Sequence, residues 1–179
     1  MSKHNNTANQ PPRAPEVKVV MTVNSEIGTA FNYIAPVNLI HIFRGNALIP
    51  AIVDTSIKEG WNKAGLIRTV RFKDGSTSRE SLLTVDFPHS FSYKNEYFTS
   101  RVLSALLKRL EGAWLFTDLG NNTTRIEWTY RAVPTNGFAK LIVKLVLMRA
   151  IRSMLRDALH IIKNDLETGR LEKGTTWKS

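Results

Sequence analysis

The sequence predicts an α+β fold in which a curved, seven-stranded antiparallel sheet wraps one long C-terminal amphipathic helix. Three observations carry that expectation. Apolar and polar residues alternate with a period of two in several segments between residues 16 and 132, turn signals separate those segments, and apolar positions in 138–166 recur at three- and four-residue steps.

The elements follow in order. Over 16–23, Val17, Val19, Met21 and Val23 alternate with Lys18 and Thr22, the period of a half-buried strand. Asn24 or Ser25 is placed to cap a helix over 25–34, whose Ile27, Ala30, Phe31 and Ile34 lie at helical spacing, and Pro36 prevents its continuation. A second short helix is expected over 37–43. Six further strands are expected near 47–55, 65–72, 77–85, 90–98, 112–118 and 124–132, with Asp74-Gly75 a strong hairpin signal. The last element reads as one uninterrupted helix of about 29 residues, roughly 43 Å long. Leu141, Leu145, Met148, Ile151, Leu155, Leu159 and Ile162 form its apolar stripe, and Gly169 is its expected stop. Residues 1–15 read as a disordered leader, 16–168 as one domain and 169–179 as a charged, mobile tail.

Composition narrows the classes. A chain of 179 residues with 42% hydrophobic and 22% charged residues is that of an ordinary globular domain. It has no cysteine, which excludes disulfides, thiolate metal sites and thiol nucleophiles and suits a cytoplasmic location. The leader lacks the apolar core of a secretory signal, and the apolar run 141–148 is broken by Lys144 and too short to cross a bilayer, so no transmembrane segment is expected. Net charge is +10, and half of that excess lies in residues 136–179, which carry nine Lys and Arg against four Asp and Glu. These basic residues are spread along a helix and a tail, the pattern of a solvated face; a surface for nucleic acid or anionic lipid is the alternative.

Alternation also assigns faces. Ile126, Trp128 and Tyr130 share one side of their strand, opposite Arg125, Glu127 and Arg131, and so face inward. Phe91, Tyr93, Asn95 and Tyr97 form a second inward set, and Leu66, Val70 and Phe72 a third. Arg68 falls in register with the third set, which puts a guanidinium on an apolar face. Such a charge needs a partner, because an unpaired buried ion is expensive to dehydrate. A three-residue hairpin loop over 74–76 sets Arg68 opposite Leu82 with Glu80 as its diagonal neighbour; a two-residue loop turns Glu80 outward. Arg68 and Glu80 are then either a structural ion pair at the rim of the sheet or, with Tyr93, Asn95 and Tyr97, the polar groups of an apolar pocket. Val70, Phe72, Leu82, Phe91, Trp128 and Tyr130 would wall that pocket from the sheet, and Met148, Ile151 and Leu155 from the helix.

Catalytic signals are sparse. Of His4, His41, His89 and His160, only His41 falls near the expected pocket entrance, and a satisfied structural histidine is its alternative reading. Glu80 is the better acid–base candidate, with Arg68 beside it, although that pairing would lower its pKa. No Ser-His-Asp arrangement, metal-ligand spacing or phosphate-cradling glycine motif occurs, so neither metal nor cofactor is expected.

The order strand, two short helices, six strands, long helix resembles the START/Bet v 1-like (SRPBCC) superfamily. Four segments are similar to its polyketide cyclase/dehydrase branch: 31–39 (FNYIAPVNL), 65–70 (GLIRTV) leading to Asp74-Gly75, 80–86 (ESLLTVD) and 123–128 (TTRIEW). The resemblance covers residues 17–166 and implies a helix-grip fold, with a cavity between sheet and helix that the superfamily uses for lipids, sterols, plant hormones and polyketides. The expected function is thus binding or carriage of a small hydrophobic molecule. A polyketide cyclase/dehydrase-type reaction is the alternative, and anionic membrane or nucleic-acid binding through the basic helix a lesser one. Nucleic acid is not an obligatory partner; weak contact with an anionic membrane and a homodimer are both compatible with the sequence.

Overall fold

The computed structural model describes residues 14–58 and 60–170, so most of the expected leader and tail lies outside the described residues. The chain runs β1 (Glu16–Val23), α1 (Ile27–Ile34), α2 (Leu39–Ile42), β2 (Ile52–Thr55), β3 (Ile67–Phe72), β4 (Thr77–Asp86), β5 (Ser90–Glu96), α3 (Arg101–Leu106), β6 (Leu107–Gly120), β7 (Thr123–Pro134), α4 (Gly137–Ile142), a π-helical turn (Val143–Leu147) and α5 (Met148–Thr168). All strand pairs are antiparallel, in the order β1-β7-β6-β5-β4-β3-β2. The sheet's inner face and α5 enclose the core, with Trp128, Ile126, Leu155 and Ile162 almost wholly buried. No helix among the described residues is long and apolar enough to cross a membrane.

Architecture and strand faces, Tyr97 apart, agree with the sequence expectation; several local features differ. The first helix begins later than expected and is capped by Glu26, not by Asn24 or Ser25: its carboxylate accepts from the Gly28 and Thr29 amides at 3.0 and 2.9 Å. β2 starts only at Ile52, because Asn46 captures the Leu48 and Ile49 amides at 3.0 Å and folds 46–49 into a turn. β5 stops at Glu96, since Tyr97 takes a positive φ of 55°. An unexpected helix, α3, follows, capped by Ser100.

The fifth difference concerns the long helix. The Met148 amide bonds back to Val143, five residues earlier, so one turn holds an extra residue and everything before it is rotated relative to α5. Buried positions change from Ala139, Val143 and Leu147 to Met148, Ile151 and Leu155 across that turn. Leu141 and Leu145, expected on the inner stripe, are instead 55% and 46% exposed. At its far end α5 stops as expected, with Gly169 in the left-handed region at φ 67°.

The β3–β4 hairpin settles the register. Its loop has three residues, but they are Lys73, Asp74 and Gly75, one position earlier than 74–76. Gly75 N–H donates to Phe72 O at 2.9 Å, and Phe72 N–H donates to Ser76 O at 2.8 Å. Gly75 takes the positive φ, 81°, that this loop type requires. Arg68 therefore faces Glu80 directly, not Leu82. Moving the loop by one residue shifts the pairing by two, so both side chains stay on the inner face.

Hydrogen bonds from Gly28 and Thr29 hold the Glu26 carboxyl below its ordinary pKa. A group lowered on folding stabilises above its unfolded pKa, and that stabilisation is lost as pH falls through the folded value. Glu26→Ala is expected to cost about 0.5–2 kcal/mol in urea denaturation at pH 7, the usual cost of a lost cap. The difference should narrow at acid pH.

Candidate ligand-binding site

Between the inner face of the sheet and the π-turn and α5 lies a cavity of about 60 Å³. Val70, Phe72, Leu110, Leu147 and Ile151 make most of it apolar, and Ser78, Glu80, Asn95 and Tyr130 bring polar atoms to it. Phe98 and Met154, both only partly buried, also line it. A second cavity of about 20 Å³ lies among the aromatic side chains at the centre of the sheet, lined by Trp61, Arg68, Phe91, Tyr93, Trp114 and Trp128. Leu39, Phe43 and Glu80 line both, so the two spaces adjoin at the Glu80 carboxylate.

Glu80 is the centre of a buried polar network. Arg68 Nε donates to Glu80 Oε2 from directly across the hairpin, and both side chains are about 5% exposed (6% and 5%). Asn95 Nδ2 donates to the other oxygen, Oε1, at 3.2 Å, and Ser78 Oγ donates to Asn95 Oδ1, also at 3.2 Å. Three neighbouring strands thus contribute to one network. The guanidinium lies over the Trp61 ring with Cζ 4.2 Å from its centroid, a cation–π contact from the loop before β3. Among the described residues the terminal Nη groups of Arg68 make no hydrogen bond. Donors are therefore held beside the second cavity without a protein acceptor.

A second relay leads into the larger cavity. Trp128 Nε1 donates to Tyr93 Oη at 3.0 Å, and Tyr93 Oη donates to Tyr130 Oη at 2.9 Å. Tyr130 already accepts this bond, which leaves its own proton for an acceptor in the cavity. Burial, followed by Tyr130 and Glu80 nearby, raises the Tyr93 pKa well above that of a free phenol; burial likewise raises that of Tyr130. Both stay neutral donors across ordinary pH. The Tyr93 ring lies against Gly112 of β6, where a Cβ would overlap the ring carbons.

The expected site residues divide accordingly. Val70, Phe72, Glu80, Asn95, Tyr130 and Ile151 line the larger cavity, while Arg68, Phe91, Tyr93 and Trp128 line the smaller. Leu82, Met148 and Leu155 are buried core and line neither. Tyr97 is displaced altogether: its positive φ turns the ring out of the sheet's alternation, leaving it 66% exposed beneath the Arg79 guanidinium. His41 also lines neither cavity. Its Nε2 lies 2.8 Å from Asp165 Oδ2, which accepts from Tyr33 Oη at 2.6 Å, so it helps tie α1 and α2 to α5. Sequence reasoning missed Trp61, Ser78, Phe98 and Met154. Ser78 had a signal, since it precedes Glu80 by two residues on the same strand face. Among the described residues no His, Cys, Asp or Glu group could hold a metal ion.

A sheet closed on a long helix around an apolar cavity defines the helix-grip class of proteins. Within it, the family model described as polyketide cyclase / dehydrase and lipid transport matches residues 14–167, and the chain belongs to that family. Solved structures share the fold at low identity. Ara h 8.0201 is 14% identical, with a TM-score of 0.64 over 86% of this chain and 97% of that one. The norcoclaurine synthase of Thalictrum, a point mutant, is 14% identical with a TM-score of 0.61 over 87% and 95%. Major latex-like protein 151 of Panax ginseng is 17% identical with a TM-score of 0.59 over 85% and 98%. No curated protein matches by sequence.

Two outcomes test the site's construction. Gly112→Ala is expected to cost about 1–3 kcal/mol in denaturant titration, the range for overpacking, because the buried Tyr93 ring must move. Groups whose pKa is raised on folding stabilise fully below their unfolded pKa, about 10 for tyrosine, and lose that contribution as pH rises above it. Stability should therefore fall above pH ~10 more steeply in the native protein than in the Tyr93→Phe/Tyr130→Phe variant. The native-state tyrosinate absorbance near that pH should be the same in both.

Proposed function

We propose that the protein binds and carries a small apolar molecule bearing at least one hydrogen-bond acceptor, such as a carbonyl oxygen. The observation that carries this reading is the buried Arg68 guanidinium in the lining of an aromatic-walled space, with Nε held by Glu80 and terminal Nη groups that make no hydrogen bond among the described residues. Glu80 neutralises the arginine, so a neutral acceptor suits the site better than a full negative charge. Tyr130 offers a second donor at the larger cavity. The family's description and the apolar lining support the same reading.

Each space, at about 60 and 20 Å³, is smaller than the ~300 Å³ at which drug-sized sites begin, so a ligand of that size must displace side chains. Phe98 and Met154 on the partly buried rim are the ones placed to yield, methionine through its flexible thioether. Catalysis has less support. Among the described residues neither cavity has a histidine in its lining, and their carboxylate, Glu80, is held by Arg68 and Asn95. A cyclase or dehydrase would use Arg68 and Tyr130 as donors to a developing enolate, the one feature of the site that favours that second reading.

Acetylnaphthalene and ethylnaphthalene differ in a single acceptor oxygen. The native protein should bind the ketone about tenfold more tightly by fluorescence titration, as expected for one hydrogen bond to a charged group. Arg68→Ala strands the Glu80 carboxylate and should cost about 3–5 kcal/mol of stability, so the informative variant is Arg68→Met/Glu80→Leu. That variant should fold and lose the preference. Binding of neither compound by the native protein, or an unchanged preference in the double variant, would overturn the reading.

A further inference from the structure

The rotation imposed by the π-turn leaves a second apolar stripe that is exposed among the described residues. Phe138, Leu141 and Leu145 are 75%, 55% and 46% exposed, and neighbouring Val146 and Val102 of α3 are 47% and 64% exposed. In a regular helix the first three would continue the inner stripe of α5; the extra residue at 143–147 turns them outward. α3 and α4 pack together, and the Thr135 hydroxyl between β7 and α4 donates to Ala105 O of α3 at 2.6 Å. These side chains therefore belong to one face.

Charge around this face is mostly of one sign, although Arg109 pairs with Glu111 at 2.6 Å. Residues 97–110 and 136–156 contain Arg101, Lys108, Arg109, Lys140, Lys144, Arg149, Arg152 and Arg156 and no Asp or Glu. Arg101, Lys108, Lys144, Arg149 and Arg152 are exposed and make no ion pair among the described residues. The same elements supply Leu103 and Leu147 to the wall of the larger cavity. An apolar stripe flanked by cations is the surface that lies in the interface of an anionic bilayer: aliphatic and aromatic groups enter the acyl boundary while Lys and Arg meet headgroup phosphates. A second copy of the chain would set like charges face to face. Nucleic acid would leave the five apolar side chains without a counterpart.

We infer that the face formed by α3, α4 and the π-turn docks on an anionic lipid bilayer and sets the adjoining cavity wall against it. This goes beyond the cavity reading and does not require it, because docking is measured without a cavity ligand.

The test is cosedimentation of the full chain with phosphatidylcholine vesicles, with and without a third of phosphatidylglycerol. The native protein should bind the anionic vesicles at least about tenfold more tightly than the neutral ones, and added salt should weaken binding. Phe138→Ser/Leu141→Ser/Leu145→Ser should reduce partitioning by about tenfold or more without lowering thermal stability, since all three side chains are exposed. Lys144→Glu/Arg149→Glu should do the same, whereas Lys73→Glu, at the tip of the β3–β4 hairpin, should change it little. No vesicle binding, or binding that survives the triple serine change, would overturn the inference. So would a concentration-dependent dimer, or binding to duplex DNA, that occupies this face in place of vesicles.

Discussion

A guanidinium on the concave side of the sheet cannot stay there alone. Dehydrating Arg68 without a partner would cost several kcal/mol, comparable to the whole stability of a domain of this size. The structure meets that requirement with Glu80 directly across the hairpin, then satisfies the second carboxylate oxygen through Asn95 and orients Asn95 through Ser78. β3, β4 and β5 are thereby tied to one another by polar contacts inside an otherwise apolar core. A slip of one residue would turn Glu80 outward and leave the arginine buried, so the pair selects the register that the Lys73–Gly75 loop already favours. Local turn chemistry and buried charge agree, and neither alone would be as decisive.

The helical layer is fixed more tightly at one end than at the other. Asp165 of α5 receives the Tyr33 hydroxyl and lies against His41, which pins α1 and α2 to the helix. Beside them, Phe31 meets Phe91 edge-on, and Phe91, Trp114, Phe116 and Trp128 stack, with Trp114 and Trp128 centroids 4.0 Å apart and the smaller cavity among them. Towards the π-turn the packing loosens, and there the larger cavity lies. The residue added at 143–147 brings Val143 and Leu147 inside and puts Leu141 and Leu145 outside. One local change in helix geometry thus shapes the cavity wall and creates the exposed apolar face.

Much of this was legible in the sequence because it depends on period and parity. Inward sets such as Ile126, Trp128 and Tyr130 follow from alternation alone, and Arg68 and Glu80 share a face under any register of the right parity. The illegible parts depend on contacts far apart in the chain or on breaks in a period. Asp165 lies 124 residues from His41 and 132 from Tyr33, and no local pattern joins them. Apolar residues in 138–148 suit a straight helix well enough to hide the π-turn. Tyr97 continues the alternation of β5 perfectly, yet its positive φ removes it from the sheet. Trp61 is an isolated aromatic residue in a loop, and only the folded chain brings it under Arg68.

If the terminal N–H groups of Arg68 are the ligand's contact, they should report its arrival directly. Side-chain nitrogen NMR of the guanidinium, recorded as acetylnaphthalene is added, isolates that contact from any general tightening of the core. The Arg68 Nη–H signals should shift and their exchange with water should slow, while Nε–H, already bonded to Glu80, changes little. Saturable binding that leaves the Nη–H signals unmoved would contradict that role for Arg68.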